Sequence, residues 1–376
     1  MEPGSTNATG GVVPNVLYVV LEDFSTLAST VFSPEPAASA RRTPHLDRLA
    51  ARSVVFRNTF CQAPICNPSR TSFLTGRRPT ATQVWSNDDS KFPPLPTIVD
   101  FVRSTAPSAA VACTGRGKIF HRACDVEPHG FENGETQLTA DAAMASAAER
   151  TLRAAIRQSS IDDMARRSLR NALNNTPRYR RTKDQEKTAV ALLLLGHYAA
   201  TRTRFFLAVG LASTHVHGGR ICIPGAYENE GGKPIGPDAR IAPSRAKEID
   251  PPLVTWPNWD IPRFDVGERW QREVTGHYFA CATHVDSQIG LLTDALDVLK
   301  LTASTAIVVQ GDHGFSLGRH GRWSKYNLYE DATRVPLLMA VPGRPAAVVT
   351  TVVESLDVTP TLLDLWGVRR KTQVSK

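Results

Sequence analysis

Short apolar runs alternate with longer amphipathic ones along the chain. The first, Asn15–Leu21, is continuous and rich in β-branched residues, which predicts a strand buried on both faces. It delivers two acids, Glu22 and Asp23, at its C-terminal end. Further short runs predict strands at 109–114, 204–210, 306–310 and 335–341. Between them lie helical patterns. Residues 43–50 offer a Thr cap, a Pro and apolar spacing, and 142–173 and 188–200 are helical in character. Residues 268–299 carry a helical stripe through Trp270, Val274, Tyr278, Cys281, Val285, Ile289 and Leu292, and 353–365 predicts a closing helix.

Strands alternating with helices predict an α/β fold with a mostly parallel central sheet flanked by helices. Four of the strands release chemically capable side chains where they end: Glu22 and Asp23, then Lys118 and His121, then His215 and His217, then Asp312 and His313. In open α/β sheets that edge is where ligands bind. Residues 1–13 are Gly-, Ser- and Thr-rich and predict a disordered N-terminus, leaving one domain over 14–376. Within it, about 142–187 reads as a basic helical and linker segment, and about 218–266, rich in Gly, Pro and charge, as a long loop excursion.

Composition narrows the function classes. The chain has 376 residues, enough for a large core, with 44 basic against 36 acidic side chains for a net +8. That balance favours an acidic substrate or partner. Nucleic acid is not that partner on this reading, because no recognition motif is present and the basic run lacks interleaved aromatics. No stretch is apolar and long enough to span a membrane. The N-terminus lacks a signal-peptide pattern, so the face-value expectation is a cytoplasmic protein, or a lysosomal or secreted one if the true start lies upstream. The six cysteines are scattered and suggest neither a disulfide framework nor a zinc site.

One stretch organises the rest: Cys66-Asn-Pro-Ser-Arg-Thr-Ser-Phe-Leu-Thr-Gly76. Pro68 suits a first helical turn, which places Cys66 at a helix N-terminus, where backbone N–H groups and the dipole favour an anion and lower a thiol's pKa. Arg70, one turn on, can serve the same anion. A buried structural cysteine is the plainer alternative for such a residue. The two acidic or imidazole pairs, Glu22–Asp23 and Asp312–His313, offer three carboxylates and one imidazole, a donor set suited to Ca2+, with Mg2+ or Mn2+ as alternatives.

The string Cys-x-Pro-Ser-Arg-x-x-x-Leu-Thr-Gly resembles the signature of the type I sulfatases, within the alkaline phosphatase superfamily. The stretch Gly311-Asp-His-Gly-Phe-Ser-Leu-Gly-Arg-His-Gly-Arg-Trp-Ser-Lys325 is similar to the iduronate-type members. The resemblance implies a sulfatase acting on a sulfated sugar such as a glycosaminoglycan uronate. It implies that a formylglycine-generating enzyme converts Cys66 to formylglycine, whose hydrated form attacks sulfur. It assigns Glu22, Asp23, Cys66, Asp312 and His313 to the metal, and His215 and Lys325 to the sulfate and the leaving alcohol. Lys118 and Arg70 would hold the diol and its charge, and His121 would take the proton that expels sulfate.

Two positions depart from the pattern. Glu22 stands where Asp is usual, and Ser213-Thr214 where a Lys-Pro pair is expected. Related enzymes also continue into a smaller C-terminal sheet subdomain, which the resemblance therefore implies is missing or truncated here. The competing readings are a phosphate or phosphonate ester hydrolase on the same fold, and a non-catalytic polyanion-binding protein on a degenerate sulfatase scaffold.

Overall fold

The computed structural model describes residues 15–33, 43–89, 92–105, 111–122, 131–133, 141–174, 182–215 and 268–366. The proposed N-terminal tail, the loop excursion at 218–266 and the arginines at 178, 180 and 181 lie outside the described residues, as do His217, Cys124 and Cys222.

The strands are β1 (Asn15–Leu21), β2 (Val54–Phe56), β3 (Thr59–Phe60), β4 (Val111–Gly117), β5 (Glu132–Asn133), β6 (Arg204–Leu211), β7 (Thr305–Gly311), β8 (Ser316–Leu317), β9 (Trp323–Ser324), β10 (Leu337–Ala340), β11 (Ala347–Val349) and β12 (Val353–Glu354). Eight of them form one sheet in the order β11-β2-β10-β7-β1-β6-β4-β5. β1 runs parallel to β6 and β7, and β4 parallel to β6 and β5, while β10 is antiparallel to both its neighbours. The mostly parallel sheet expected from the alternation is therefore present, with one reversed strand.

β1 lies at the centre and both its faces are covered. Leu17, Val19 and Leu21 pack into one core layer with residues of the helices Ala142–Gln158, Lys183–Thr201 and Glu268–Val298. Val16, Tyr18 and Val20 pack into the other, with residues of Cys66–Thr75, Ile98–Thr105 and Val358–Leu365. This two-sided burial is why the strand reads as a continuous apolar run rather than an alternating one.

Several boundaries moved. The strand expected at 109–114 lies at Val111–Gly117 and extends into Gly115-Arg-Gly. A Cβ on Gly117 would strike the carbonyl of Gly210, and one on Gly210 the carbonyl of Lys118, so the two glycines let β4 and β6 close together beside the site. The 142–173 stretch is two helices, because Asp162 accepts from the N–H of Ala165 and starts a new one, Asp163–Leu173. The closing helix is Val358–Leu365, preceded by β12 and a 3-10 turn.

The helix Lys183–Thr201 begins with a capping box in which Thr182 Oγ1 accepts from Gln185 N at 3.2 Å. The same oxygen lies 3.0 Å from Nε2 of His284, a buried residue. The hydroxyl keeps a second lone pair and its own proton, so this contact suits either tautomer of a neutral imidazole. Burial pushes His284 down to about 4, against a partial upward pull from Asp184. An unfolded histidine takes its proton near pH 6.5, so the unfolded chain binds a proton first as pH falls. His284 should therefore remove up to about 3 kcal/mol of stability between pH 6.5 and 4, and no more below that. Denaturant titrations of the wild type and His284→Gln at pH 7 and 4.5 check this. The difference between them should shift in favour of the variant at the lower pH; a constant difference contradicts it.

Candidate active site

Cys66 opens the ten-residue helix Cys66–Thr75 behind an extended Ile65 that supplies no side-chain cap; the N–H of Asn67 is taken instead by Asn87 Oδ1 at 2.9 Å. The helix stops at Gly76 in the left-handed conformation (φ 66°), its N–H returning to Ser72 O. All ten residues are buried, including six polar ones. Their hydrogen bonds explain the motif. Ser69 Oγ donates to the Asp312 carbonyl, Thr75 Oγ1 to Thr71 O, and Asn67 Nδ2 to the carbonyls of Ser86 and Asp89.

The sheet edge and the helix start meet. The ladder holds one residue past β1, with Glu22 N donating to Leu211 O and Asp312 N to Leu21 O. At Asp23 the backbone turns left-handed (φ 53°), and its N–H goes instead to Asp312 Oδ1 at 3.0 Å. Around Cys66 Sγ stand Lys325 Nζ at 3.1 Å, His313 Nε2 at 3.4 Å and Glu22 Oε1 at 3.8 Å. His121 and His215 also hydrogen-bond to the sulfur. Lys325 Nζ bridges to Asp23 Oδ1 at 2.8 Å, His313 Nε2 lies 3.2 Å from the same oxygen, and Lys118 Nζ pairs with Glu22 Oε1, which His215 Nε2 approaches to 3.5 Å.

The sequence-derived residues thus converge from five places in the chain. Ligand atoms of Asp23, Cys66, Asp312 and His313 lie within 4.8 Å of one another, and so do those of Glu22, Asp23, Cys66 and His215. Three buried carboxylates with an imidazole form an oxygen-rich cluster that fits a hard divalent cation. Here Lys118, Lys325 and the imidazoles neutralise it.

The electrostatics follow from this crowding. Burial alone would raise the Cys66 thiol, but the positive charges of His313 and Lys325 and the bonds from His121 and His215 hold it well below its ordinary value. Burial also lowers imidazole pKa values, yet Asp312 outweighs it at His313 and holds that ring up to about 9. At His215, burial is likewise overcome, by the bond to Cys66 and by Asp23 and Glu22. Glu22 is the exception: despite Arg70 and Lys118, burial wins and its carboxyl is raised. A bound cation would reverse that cost and displace the His313 proton.

Arg70 is anchored beneath the site by its own hydrogen bonds. Its side chain is wholly buried; Nε and Nη2 donate to Asp312 Oδ2 at 3.1 and 2.9 Å, and Nη1 donates to the carbonyls of Lys118 and Ile119 at 2.5 and 2.9 Å. Its charge acts on Asp312 most strongly, and also on Glu22 and Cys66. Ser213, where lysine was expected, is equally committed. Its N–H and Oγ donate to Asp184 Oδ2 at 2.7 and 2.6 Å. Sequence reasoning missed Asp184, Thr214, which donates to the Glu22 carbonyl at 2.5 Å, and Tyr278. The helical stripe marks Tyr278 only as an apolar position, and nothing in the pattern marks the polar bonds of Asp184, Thr214 and Tyr278 to other elements.

Residues 14–368 match the sulfatase family. The chain belongs to that family. Among relatives of this sulfatase-family chain is mouse iduronate 2-sulfatase (Mus musculus), 30% identical over 348 residues, covering 81% of this chain and 56% of that protein. The chain therefore spans little more than half of that relative's length. In structure it is similar to the phosphonate monoester hydrolase from Silicibacter pomeroyi (TM-score 0.67, 22% identity, 94% of this chain and 73% of that one). It is also similar to a 2-O GAG sulfatase (TM-score 0.59, 17% identity, 97% and 73%). Both show the shared fold. Among the described residues no helix is long and apolar enough to cross a membrane.

Proposed function

We propose that the protein hydrolyses a sulfate ester on a sulfated sugar, such as a glycosaminoglycan uronate, with residue 66 carried as formylglycine. The observation that supports this most directly is the position of Cys66: its side chain opens a helix and faces Lys325, His313, His121 and His215 at once. The 30% identity to an iduronate 2-sulfatase and the net +8 charge support a polyanionic sugar.

On this reading Glu22, Asp23, Asp312 and His313 hold Ca2+, which supplies fixed positive charge to the reacting sulfate. The hydrated aldehyde at 66 supplies one hydroxyl as nucleophile and a second whose deprotonation releases sulfate. The chain's own groups do the rest. Lys118 and His215, at 22% and 21% exposure, and the half-buried His121 are open to solvent, against 8% or less for Lys325, Asp23 and His313, so the sugar enters from their side. His215, with its raised pKa, can deliver a proton to the leaving oxygen near neutral pH. Lys325 orients the atoms on residue 66, and His121, bonded to the same atom position, takes the proton that ends the cycle. Arg70 fixes Asp312. Glu22, one methylene longer than the usual Asp, reaches Lys118 and His215 together.

Parallel assays on aryl sulfate and aryl phosphate, with mass analysis of the peptide holding residue 66, test the proposal. Formylglycine should be found, sulfate should turn over well ahead of phosphate, and a chelator should remove activity until Ca2+ is restored. A preference for phosphate, or thiol alone in protein from its native host, would replace this reading with the ester-hydrolase alternative. Heparan fragments bound without desulfation, with formylglycine present, would point to the non-catalytic one.

A further inference from the structure

Successive residues of a strand point to opposite faces of a sheet, yet Glu22 and Asp23 both reach one site. The left-handed turn at Asp23 makes this possible. The sheet ladder persists through Glu22, and the turn then swings the next carboxylate back to the same side. Asp accepts this conformation more readily than most non-glycine residues, and here hydrogen bonds at both ends hold it. Asp312 Oδ1 takes the Asp23 N–H at 3.0 Å. The other end of the turn is held from the opposite layer. Tyr278, on the helix Glu268–Val298, donates its hydroxyl to the Asp23 carbonyl at 2.5 Å and accepts from Ser25 N at 2.7 Å. Its ring is fully buried and stacked on Phe315, with centroids 5.3 Å apart and planes 13° apart.

We propose that Tyr278 is the positioning residue of the cation site: its hydroxyl clamps residues 23–25 in the turn that brings two consecutive strand-end carboxylates to one ion. The inference rests on the metal reading above. The Tyr278 hydroxyl bonds to main-chain atoms of residues 23 and 25, not to Cys66 or to a carboxylate of the cluster. Its effect runs through the backbone of Asp23.

Tyr278→Phe keeps the stacked ring and removes one oxygen, so the fold should persist. Calorimetric titration with Ca2+ alone, at neutral pH, is the readout. The variant should bind about tenfold or more weakly than the wild type, the usual penalty for loss of a group that orients a ligand. Val285→Ala, a buried position about two helical turns further along the same helix with no polar group to lose, serves as the control for general loss of packing. It should keep Ca2+ affinity within about twofold. Unchanged affinity in Tyr278→Phe overturns the proposal, and so does an equal loss in Val285→Ala. If the wild type itself takes up no Ca2+, the metal reading falls and this inference falls with it, a result distinct from the other two.

Discussion

Cys66→Ser is expected to desulfate once per molecule and then stop. Its steady-state rate should fall by several orders of magnitude, on the order of 10⁴–10⁶ as when other enzymes lose a nucleophile. The substitution leaves the helix start, the facing cations and the entry side unchanged, because Sγ and Oγ occupy the same branch point and Lys325, His313, His121 and His215 approach from other elements. A serine oxygen so placed can attack sulfur and release the alcohol. It then carries a sulfate ester with no second hydroxyl on the same carbon, so nothing can expel the sulfate by re-forming a carbonyl. Intact-mass measurement after incubation with aryl sulfate should show one added SO3 group per chain, together with one equivalent of released phenol. Cys66→Ala should show neither. Full turnover by the serine variant would mean that residue 66 does not need two oxygens, and the formylglycine route would fail.

Much of this site was legible before any coordinates. The strand-end rule identified Glu22, Asp23, Lys118, His121, His215, Asp312 and His313 because parallel strands buried on both faces read as uninterrupted apolar runs, and the first polar residue past each run is conspicuous. The motif around Cys66 located the fifth contribution. The short strands β2 and β11 escaped, since three residues carry too little pattern to separate a strand from a loop. β10 was visible as a strand, but its antiparallel direction was not, because direction depends on how the connection from β7 returns. The supporting contacts were the least legible. Tyr278 reads as one more apolar position on a helix; its hydroxyl matters only because the fold carries it to a backbone carbonyl 255 positions earlier in the chain. Ser213 reads as the loss of a lysine, whereas in the fold it joins a turn gathered onto Asp184, whose oxygens also accept from Ala212 N and Lys187 Nζ.

Arg70 carries the largest expected effect on stability. Among the described residues it is the bulkiest fully buried side chain, and Asp312 opposite it is buried as completely. Two donors engage one carboxylate oxygen and two engage main-chain carbonyls just past β4, so a single guanidinium ties β7 to the segment carrying Lys118 and His121. Asp312 spends its other oxygen on the N–H groups of Asp23 and His313. Burial would raise this carboxyl, but His313 and Arg70 hold it below the ordinary carboxylate range. Removing Arg70 therefore leaves an ionised group without its two-pronged guanidinium partner in a place water does not reach. Breaking such a pair from one side costs about 3–5 kcal/mol, far more than the pair contributes net. Arg70→Ala should unfold at clearly lower denaturant concentration, and Arg70→Lys should recover little, because one ammonium cannot address a carboxylate and two carbonyls with the same geometry. Arg70→Ala paired with Asp312→Ala separates the causes. If the charge left behind is what destabilises, the double variant should lose less than the sum of the two singles; strict additivity would mean that Arg70 matters only for the volume it fills.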